Sequence, residues 1–335
     1  MILVTGGLGY IGSHFIVQLL KEDTDLLIID NLSNSKLDNL KFIENLTKKK
    51  INFIECDTRD KKNINKIFLN ETIDTIIHFA GLKSISESFE KSSEYFSNNI
   101  SGTSNLLDSA LKNNVNNFIF SSSATVYGNK HPSPWKESQE INLPESPYAI
   151  SKIVSEKILE NASRFQINFK VGVLRYFNPI GYHESGYIGE NIATSKNLIP
   201  AIINYLLGNS KILNVYGNDY ETHDGSCVRD YVHINDLVDG HLKALKYIKN
   251  SNKNFDIWNL GSGCGYSVFQ IINIFEKLTN SKIKISMSPR RNGDLPYFWA
   301  DISKAKKELN WAPVKHIEEM IADSLNHYNY LSKTN

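Results

Sequence analysis

The chain has 335 residues, 41% of them hydrophobic, and a formal net charge of +1. That is enough apolar material for one large domain or two smaller ones, with no broad field favouring nucleic acid or an acidic membrane. Three well-separated cysteines, Cys56, Cys227 and Cys264, read as free thiols in a reducing compartment. With neither a basic leader nor a long apolar run, the expectation is a cytoplasmic protein without a signal peptide or bilayer-spanning segment.

Ile2-Leu3-Val4 is an apolar run suited to a buried parallel strand, and Gly6, Gly9 and Gly12 follow it at once, before a helical pattern over Ser13 to Lys21. Strand, spaced glycines and helix in that order predict a dinucleotide cradle: glycine lets backbone approach a pyrophosphate whose charge lies at the helix N-terminus. A purely structural strand–helix turn is the alternative. Leu26 to Asp30 is a second strand ending in an acid, 18 residues past Gly12. A carboxylate there accepts from ribose hydroxyls and repels a 2′-phosphate, and no arginine follows Asn31 closely in sequence, which favours NAD over NADP.

Strands are predicted again at Ile51 to Glu55, Ile73 to Phe79, Phe118 to Phe120 and Phe169 to Leu174, with helical or polar segments between them. This alternation predicts an α/β fold, a doubly wound parallel sheet, with Asp30, Asp57, Ala80-Gly81, Ser123 and Asn178 brought to one edge at the strands' carboxyl ends. After the serines come Tyr148 and, one helical turn later, Lys152. On a helix the two share a face. An ammonium beside a phenol stabilises the phenolate, which makes Tyr148 a candidate general base with Ser123 hydrogen-bonding the same substrate oxygen. Alone, Tyr-x-x-x-Lys is a weak signal that an exposed helical pair would also produce.

The C-terminal half speaks less clearly. Three of the six arginines, Arg229, Arg290 and Arg291, lie in it, and their fixed forks suit phosphate oxygens, although surface ion pairs are the plain alternative. Ser267-Val-Phe-Gln270 reads as a capping box opening a helix through Leu278. Phe255 to Leu260 reads as a strand returning to the first domain. The expected boundaries are 1–180 for a dinucleotide-binding domain and 181–335 for a smaller α/β substrate domain, with a segment near 230–262 returning to the first. His78, His183, His223 and His233 lack metal-ligand spacing, so no metal is expected.

The segments Val4 to His14, Asp30 to Ser35, Ile77 to Lys83, Phe118 to Gly128, Ser146 to Tyr148, Leu174 to Pro179, Asp224-Gly225, Val228 to His233, Asn259 to Gly261 and Pro289 to Pro296 resemble the extended short-chain dehydrogenase/reductase superfamily. Within it they resemble the UDP-glucose 4-epimerase family over nearly the whole chain. Local departures are Ala149-Ile150 and the stretch from Glu190 to Lys196.

The resemblance implies a Rossmann domain and reversible C4 epimerisation of UDP-glucose and UDP-galactose through a 4-keto sugar with tightly bound NAD. It gives catalytic roles to Tyr148, Lys152 and Ser123. It implies cofactor contacts at Gly6, Gly9, Tyr10, Ile11, Gly12, Asp30, Asn31, Asn34, Ser35, Lys36, Asp57, Thr58, Phe79, Ala80, Gly81, Lys83, Asn98, Ser121, Tyr148, Lys152, Tyr176 and Phe177. For the UDP-sugar the matching positions are Lys83, Ser123, Thr125, Tyr148, Phe177, Asn178, Asn197, Leu198, Asn214, Val215, Tyr216, Arg229, Arg291, Asp294 and Phe298. A large aromatic such as Phe298 implies a pocket closed to N-acetylhexosamines, unless the ring packs only into the core. A homodimer through helices of the first domain is also implied. The rivals are nucleotide-sugar 4,6-dehydratases and decarboxylases, and a non-catalytic dinucleotide sensor. Dehydratases carry a carboxylate beside the position of Thr125, and Ser123 to Val126 here holds none.

Overall fold

The computed structural model describes residues 1–334 apart from 142, 143, 145, 194, 196 and 292. Part of the stretch from Glu190 to Lys196 therefore lies outside the described residues. Thirteen strands follow in chain order: β1 (Ile2–Thr5), β2 (Leu26–Asp30), β3 (Asn52–Glu55), β4 (Thr75–His78), β5 (Asn117–Ser123), β6 (Lys170–Tyr176), β7 (Asn178–Ile180), β8 (Leu213–Tyr216), β9 (Val228–His233), β10 (Phe255–Leu260), β11 (Gly265–Ser267), β12 (Ile285–Ser288) and β13 (Tyr297–Phe298). Seven of them form one parallel sheet in the order β10-β6-β5-β4-β1-β2-β3. The order reverses between β1 and β4, and in sheets of this kind ligands bind at the carboxyl ends beside that reversal.

Alternation along each strand sends side chains to opposite faces. Val4, Ile28, Ile77, Ile119 and Leu174 join one apolar core with helices Tyr10–Leu19 and Ile234–Asn250. Leu3, Leu27, Ile76, Phe118 and Val173 join the other, with helices Lys61–Asn70, Gly102–Lys112 and Pro147–Phe165. Both faces are covered, which is why these strands read as continuous apolar runs.

β5 and β6 run further than the apolar residues predict, β6 as far as Tyr176. β5 continues through Ser121, Ser122 and Ser123, which pair in register with Leu174, Arg175 and Tyr176 of β6. The serines are strand, not the loop after it, because ladder hydrogen bonds and buried partners satisfy their polar groups.

The C-terminal residues build a third core from helices Leu198–Leu206, Val268–Thr279 and Ile317–Thr334 around the β8–β12 pair. The predicted capping box is present: the Ser267 side chain accepts from the backbone of Gln270, whose side chain accepts from the backbone of Ser267. β9 is the hub of this part, flanked by β7, β11 and β13.

Candidate active site

The glycine turn after β1 is packed to the limit. A Cβ on Gly6, whose φ is +65°, would lie 2.6 Å from the backbone nitrogen of Ala80, and one on Gly12 would lie 2.4 Å from the carbonyl oxygen of Gly6. Gly9 caps the helix Tyr10–Leu19 without any side-chain hydrogen bond, so its first-turn N–H groups are available to an anion.

Asp30 ends β2, 7% exposed. Its carboxylate accepts from Leu8 N at 3.1 Å, Leu32 N at 2.9 Å and Ser35 Oγ at 2.8 Å. A carboxylate takes about four donors, so Asp30 retains capacity for a ribose hydroxyl. Leu32 sits in the left-handed region at φ 57°, a strained conformation for a leucine, held by the Asp30 contact. Asn31 donates to Asp57 at 2.9 Å, and Arg59 grips the same carboxylate through Nε at 2.9 Å and Nη2 at 2.7 Å. Tertiary structure thus brings an arginine near Asn31 that the local sequence did not suggest. Asp57 neutralises it and is itself held well below the ordinary carboxylate range by that contact. Thr58 is buried against Gly102, while Asn34 and Lys36 are exposed. These features fit a dinucleotide with a free 2′-hydroxyl.

Ser146 caps the helix Pro147–Phe165, with proline in its first turn, and the helix carries both Tyr148 and Lys152 into the interior at 8% and 5% exposure. Ser123 Oγ accepts from Thr125 N at 3.3 Å and Thr125 Oγ1 at 2.9 Å. Its own proton is then free to donate to the Tyr148 phenol, an interaction that pulls the phenol pKa down.

The lowering of this pKa expected from Lys152 meets an influence of the opposite sign. Burial outweighs every other influence and raises Tyr148 above its ordinary value. Lys152 Nζ donates to the Ser121 carbonyl at 2.9 Å and lies 4.9 Å from the Phe120 ring centroid. Burial lowers Lys152 to about 8, against the opposing pull of Glu156. Burial thus favours the Tyr148 phenol, and the hydrogen bond from Ser123 favours its phenolate.

Around this pair, Gly81 lies where a Cβ would meet Asn99 Oδ1 at 3.2 Å and Lys152 Nζ at 3.3 Å. Tyr176, at the end of β6, meets His241 through a hydrogen bond, and His241 contacts Phe79 at 5.0 Å. Phe177 packs on Phe298 at 5.3 Å, and Phe298 also meets Trp135 at 5.8 Å. Phe298 pairs with Arg229 across β13 and β9, so the aromatic wall links the β6 end to the arginines.

On that far side Arg229 donates to Leu295 O at 2.7 Å and Asp294 Oδ1 at 3.0 Å. Arg291 stacks over Tyr216 with its guanidinium carbon 3.8 Å from the ring centroid. Asn178 donates to Asp230 O at 2.7 Å. Asn197 opens the helix Leu198–Leu206. Asn214 is exposed, whereas the Val215 side chain lies in the third core, 1% exposed, so a ligand would meet Val215 through its backbone. Arg290 pairs instead with Asp219 at 2.8 Å and Tyr220 at 4.3 Å.

Sequence reasoning passed over three buried groups. Glu156 continues the Tyr148–Lys152 stripe by one more helical turn, a signal that was available. It accepts from Ser122 at 2.5 Å and pairs with Arg175 at 2.7 Å. Asn99, in the π-helical turn Ser97–Ser101 with the half-buried Asn98, fixes the Gly81 turn by accepting from Leu82 N at 2.8 Å and donating to Leu82 O at 3.1 Å. Glu190 has no local signature. Among the described residues no group of three or more His, Cys, Asp or Glu is placed to hold a metal.

A parallel sheet of this order, with its glycine turn, its acid after β2 and a serine, tyrosine and lysine gathered at β5, defines an extended short-chain dehydrogenase/reductase. The family model described as GDP-mannose 4,6 dehydratase matches residues 3–324. The UDP-glucose 4-epimerase of Erwinia amylovora is 45% identical over 97% of this chain and 96% of its own. The UDP-glucose-4-epimerase of Stenotrophomonas maltophila, solved with bound NAD and formylated UDP-arabinopyranose, superimposes with a TM-score of 0.94 at 37% identity, covering 100% of this chain and 99% of its own. That of Bifidobacterium longum, solved with NAD+ and UDP, gives 0.93 at 40% identity, covering 98% of each chain. The chain belongs to this dehydratase-type family of the superfamily and, within it, to the UDP-glucose 4-epimerases.

Proposed function

We propose that the protein interconverts UDP-glucose and UDP-galactose by reversible inversion at C4, with NAD held throughout turnover. The observation that carries this reading is the burial of Ser123, Tyr148 and Lys152 at the end of β5, joined through Phe177 and Phe298 to Arg229. In this reading the proton-transfer groups and the phosphate-binding arginines face the same ligand.

The residues that would hold the dinucleotide are the turn Gly6 to Gly12, Asp30, Asp57 and the Ala80–Lys83 turn; when bound, it supplies a reversible hydride acceptor for C4. The chain's own groups handle the proton and the positioning. Tyr148 must first give up its own proton; as phenolate it would take the proton from the 4-hydroxyl and return it to the opposite configuration. Ser123 orients that hydroxyl through the same oxygen. Lys152 carries the compensating positive charge. Arg229 and Arg291 hold the diphosphate while the 4-keto hexose turns over. Phe298 limits the room beside the sugar.

The dehydratase reading fits less well. Beside Ser123 stand Thr125 and its hydroxyl, donating at 2.9 Å, where protonation of a departing 6-hydroxyl calls for an acid. A sensor would not need the complete proton-transfer set. A homodimer through helices of the first domain and a cytoplasmic setting, suggested by three unbridged cysteines, complete the proposal; light scattering tests the first.

The deciding experiment is incubation of the purified protein with UDP-galactose, followed by sugar analysis. UDP-glucose is expected. A dehydrated or decarboxylated product, or no change, rejects the proposal. Denaturing the protein should release NAD into the supernatant, and NADP as the dominant species would contradict the reading of Asp30.

A further inference from the structure

Glu190 is 7% exposed. Its Oε1 accepts from Lys83 Nζ at 2.6 Å, Ser195 Oγ at 3.0 Å and Asn197 Nδ2 at 2.9 Å. Its backbone carbonyl accepts from Tyr182 Oη at 3.1 Å. Its charge also reaches Tyr10, in the first turn after the glycines, and helps to raise that phenol's pKa. Tyr10 Oη in turn donates to Gly181 O at 2.7 Å.

These donors come from places far apart in the chain. Lys83 follows β4 on the dinucleotide side, while Ser195 and Asn197 lead into the helix Leu198–Leu206. Lys83 is half exposed, and an ammonium on four methylenes has many rotamers unless something holds it. A buried carboxylate that serves three donors supplies that restraint, and the ion pair keeps Glu190 from standing as a bare negative charge beside a phosphate site.

We propose that Glu190 is a positioning residue that ties Lys83 to Asn197, so that the two sides of the cleft present their contacts to a nucleoside diphosphate as one unit. This rests on the cleft assignments made above. It assigns a role in ligand capture and none in the proton transfer itself.

The full-length protein is titrated calorimetrically with UDP. Glu190→Gln keeps the side-chain shape and an acceptor while removing the charge. It is expected to weaken UDP binding about tenfold, to raise KM for UDP-galactose by the same factor, and to leave kcat and the melting temperature near those of the unaltered protein. Lys83→Ala should weaken UDP binding similarly, and the double variant should bind no more weakly than Lys83→Ala alone. Unchanged or tighter binding in Glu190→Gln would mean that the carboxylate only neutralises Lys83, which overturns the proposal, as does a double variant whose losses multiply. Should Glu190→Gln not fold, Lys83→Ala and Asn197→Ala give the same test from outside the hub. Their effects on UDP affinity are expected to be non-additive, and independent losses overturn the proposal. Protein that shows this coupling but leaves UDP-galactose unchanged would refute the epimerase reading and retain the Glu190 tie.

Discussion

The two walls of the proposed cleft are built by different means. On the dinucleotide side, contacts come from backbone and from short side chains at the ends of parallel strands: Gly6 after β1, Asp30 ending β2 and Ser123 ending β5. Asp30 and Ser123 are buried, and neighbouring strands fix them in register. On the sugar-nucleotide side they come from long side chains on short strands and connections. Arg229 is steadied by Asp294, Arg291 by Tyr216 and Asn197 by Glu190. The first wall suits a group that stays bound through every cycle. The second suits a ligand whose phosphates are gripped while its sugar reverses, because ion pairs and stacking tolerate small movements that a packed glycine turn does not. Rigidity is placed where the chemistry needs an unchanging reference.

The sharpest way to break this comparison is at its meeting point. Tyr148→Phe removes one oxygen from a buried site and should lower kcat by about 10²–10⁴-fold, with UDP affinity and thermal stability retained. Near-normal epimerisation would remove Tyr148 from the role of base. Lys152→Ala should follow, with a loss on the order of a hundredfold and, unlike the tyrosine variant, release of the dinucleotide on dialysis. Activity with an unaltered pH dependence in this variant would show that its charge is not used.

On the adaptable side, Phe298→Cys should raise activity on UDP-N-acetylglucosamine relative to UDP-glucose by about tenfold to a hundredfold, the cost of forcing an acetamido group into a filled pocket. If the unaltered protein already uses both sugars equally well, Phe298 is not the gate.

The smallest effect concerns stability. His14 and His78 are held near 3 and His241 near 4, all by burial. The unfolded chain takes up these three protons below about pH 6.5, whereas the folded protein resists until pH approaches 4. The stability linked to these rings is therefore complete above pH 6.5 and is lost as pH falls. Near pH 5 the slope should correspond to about three protons taken up on unfolding, and His241→Gln should remove about one of them. Urea midpoints across pH 4.5 to 6.5 measure this, and an unchanged slope would show that His241 is not neutral in the folded state.

Much of the dinucleotide side was legible in the sequence because its signals are local. A run of apolar residues, three glycines and a following amphipathic segment lie within twenty residues, and each strand announces its own carboxyl end. Even there, the predicted strand ends at Phe120, short of the serines, since hydroxyls do not extend an apolar run and only Leu174, Arg175 and Tyr176 beside them show that the strand continues. Resemblance pointed to the arginines, but periodicity could not, because no local pattern relates Arg229 to Asp294 or Arg291 to Tyr216.

By itself the sequence determined the main element types, the strand ends that meet at one edge, the capping box at Ser267 and the helix face shared by Tyr148 and Lys152, all set by backbone propensity and hydrophobic period. Tertiary structure alone decided the charges. It placed the Asp57–Arg59 pair beside Asn31, turned Lys152 toward the Ser121 carbonyl, raised the Tyr148 phenol through burial and gathered Lys83, Ser195 and Asn197 on Glu190. Electrostatic energies depend on distance and on exclusion of water, and neither exists until chain segments a hundred residues apart have packed together.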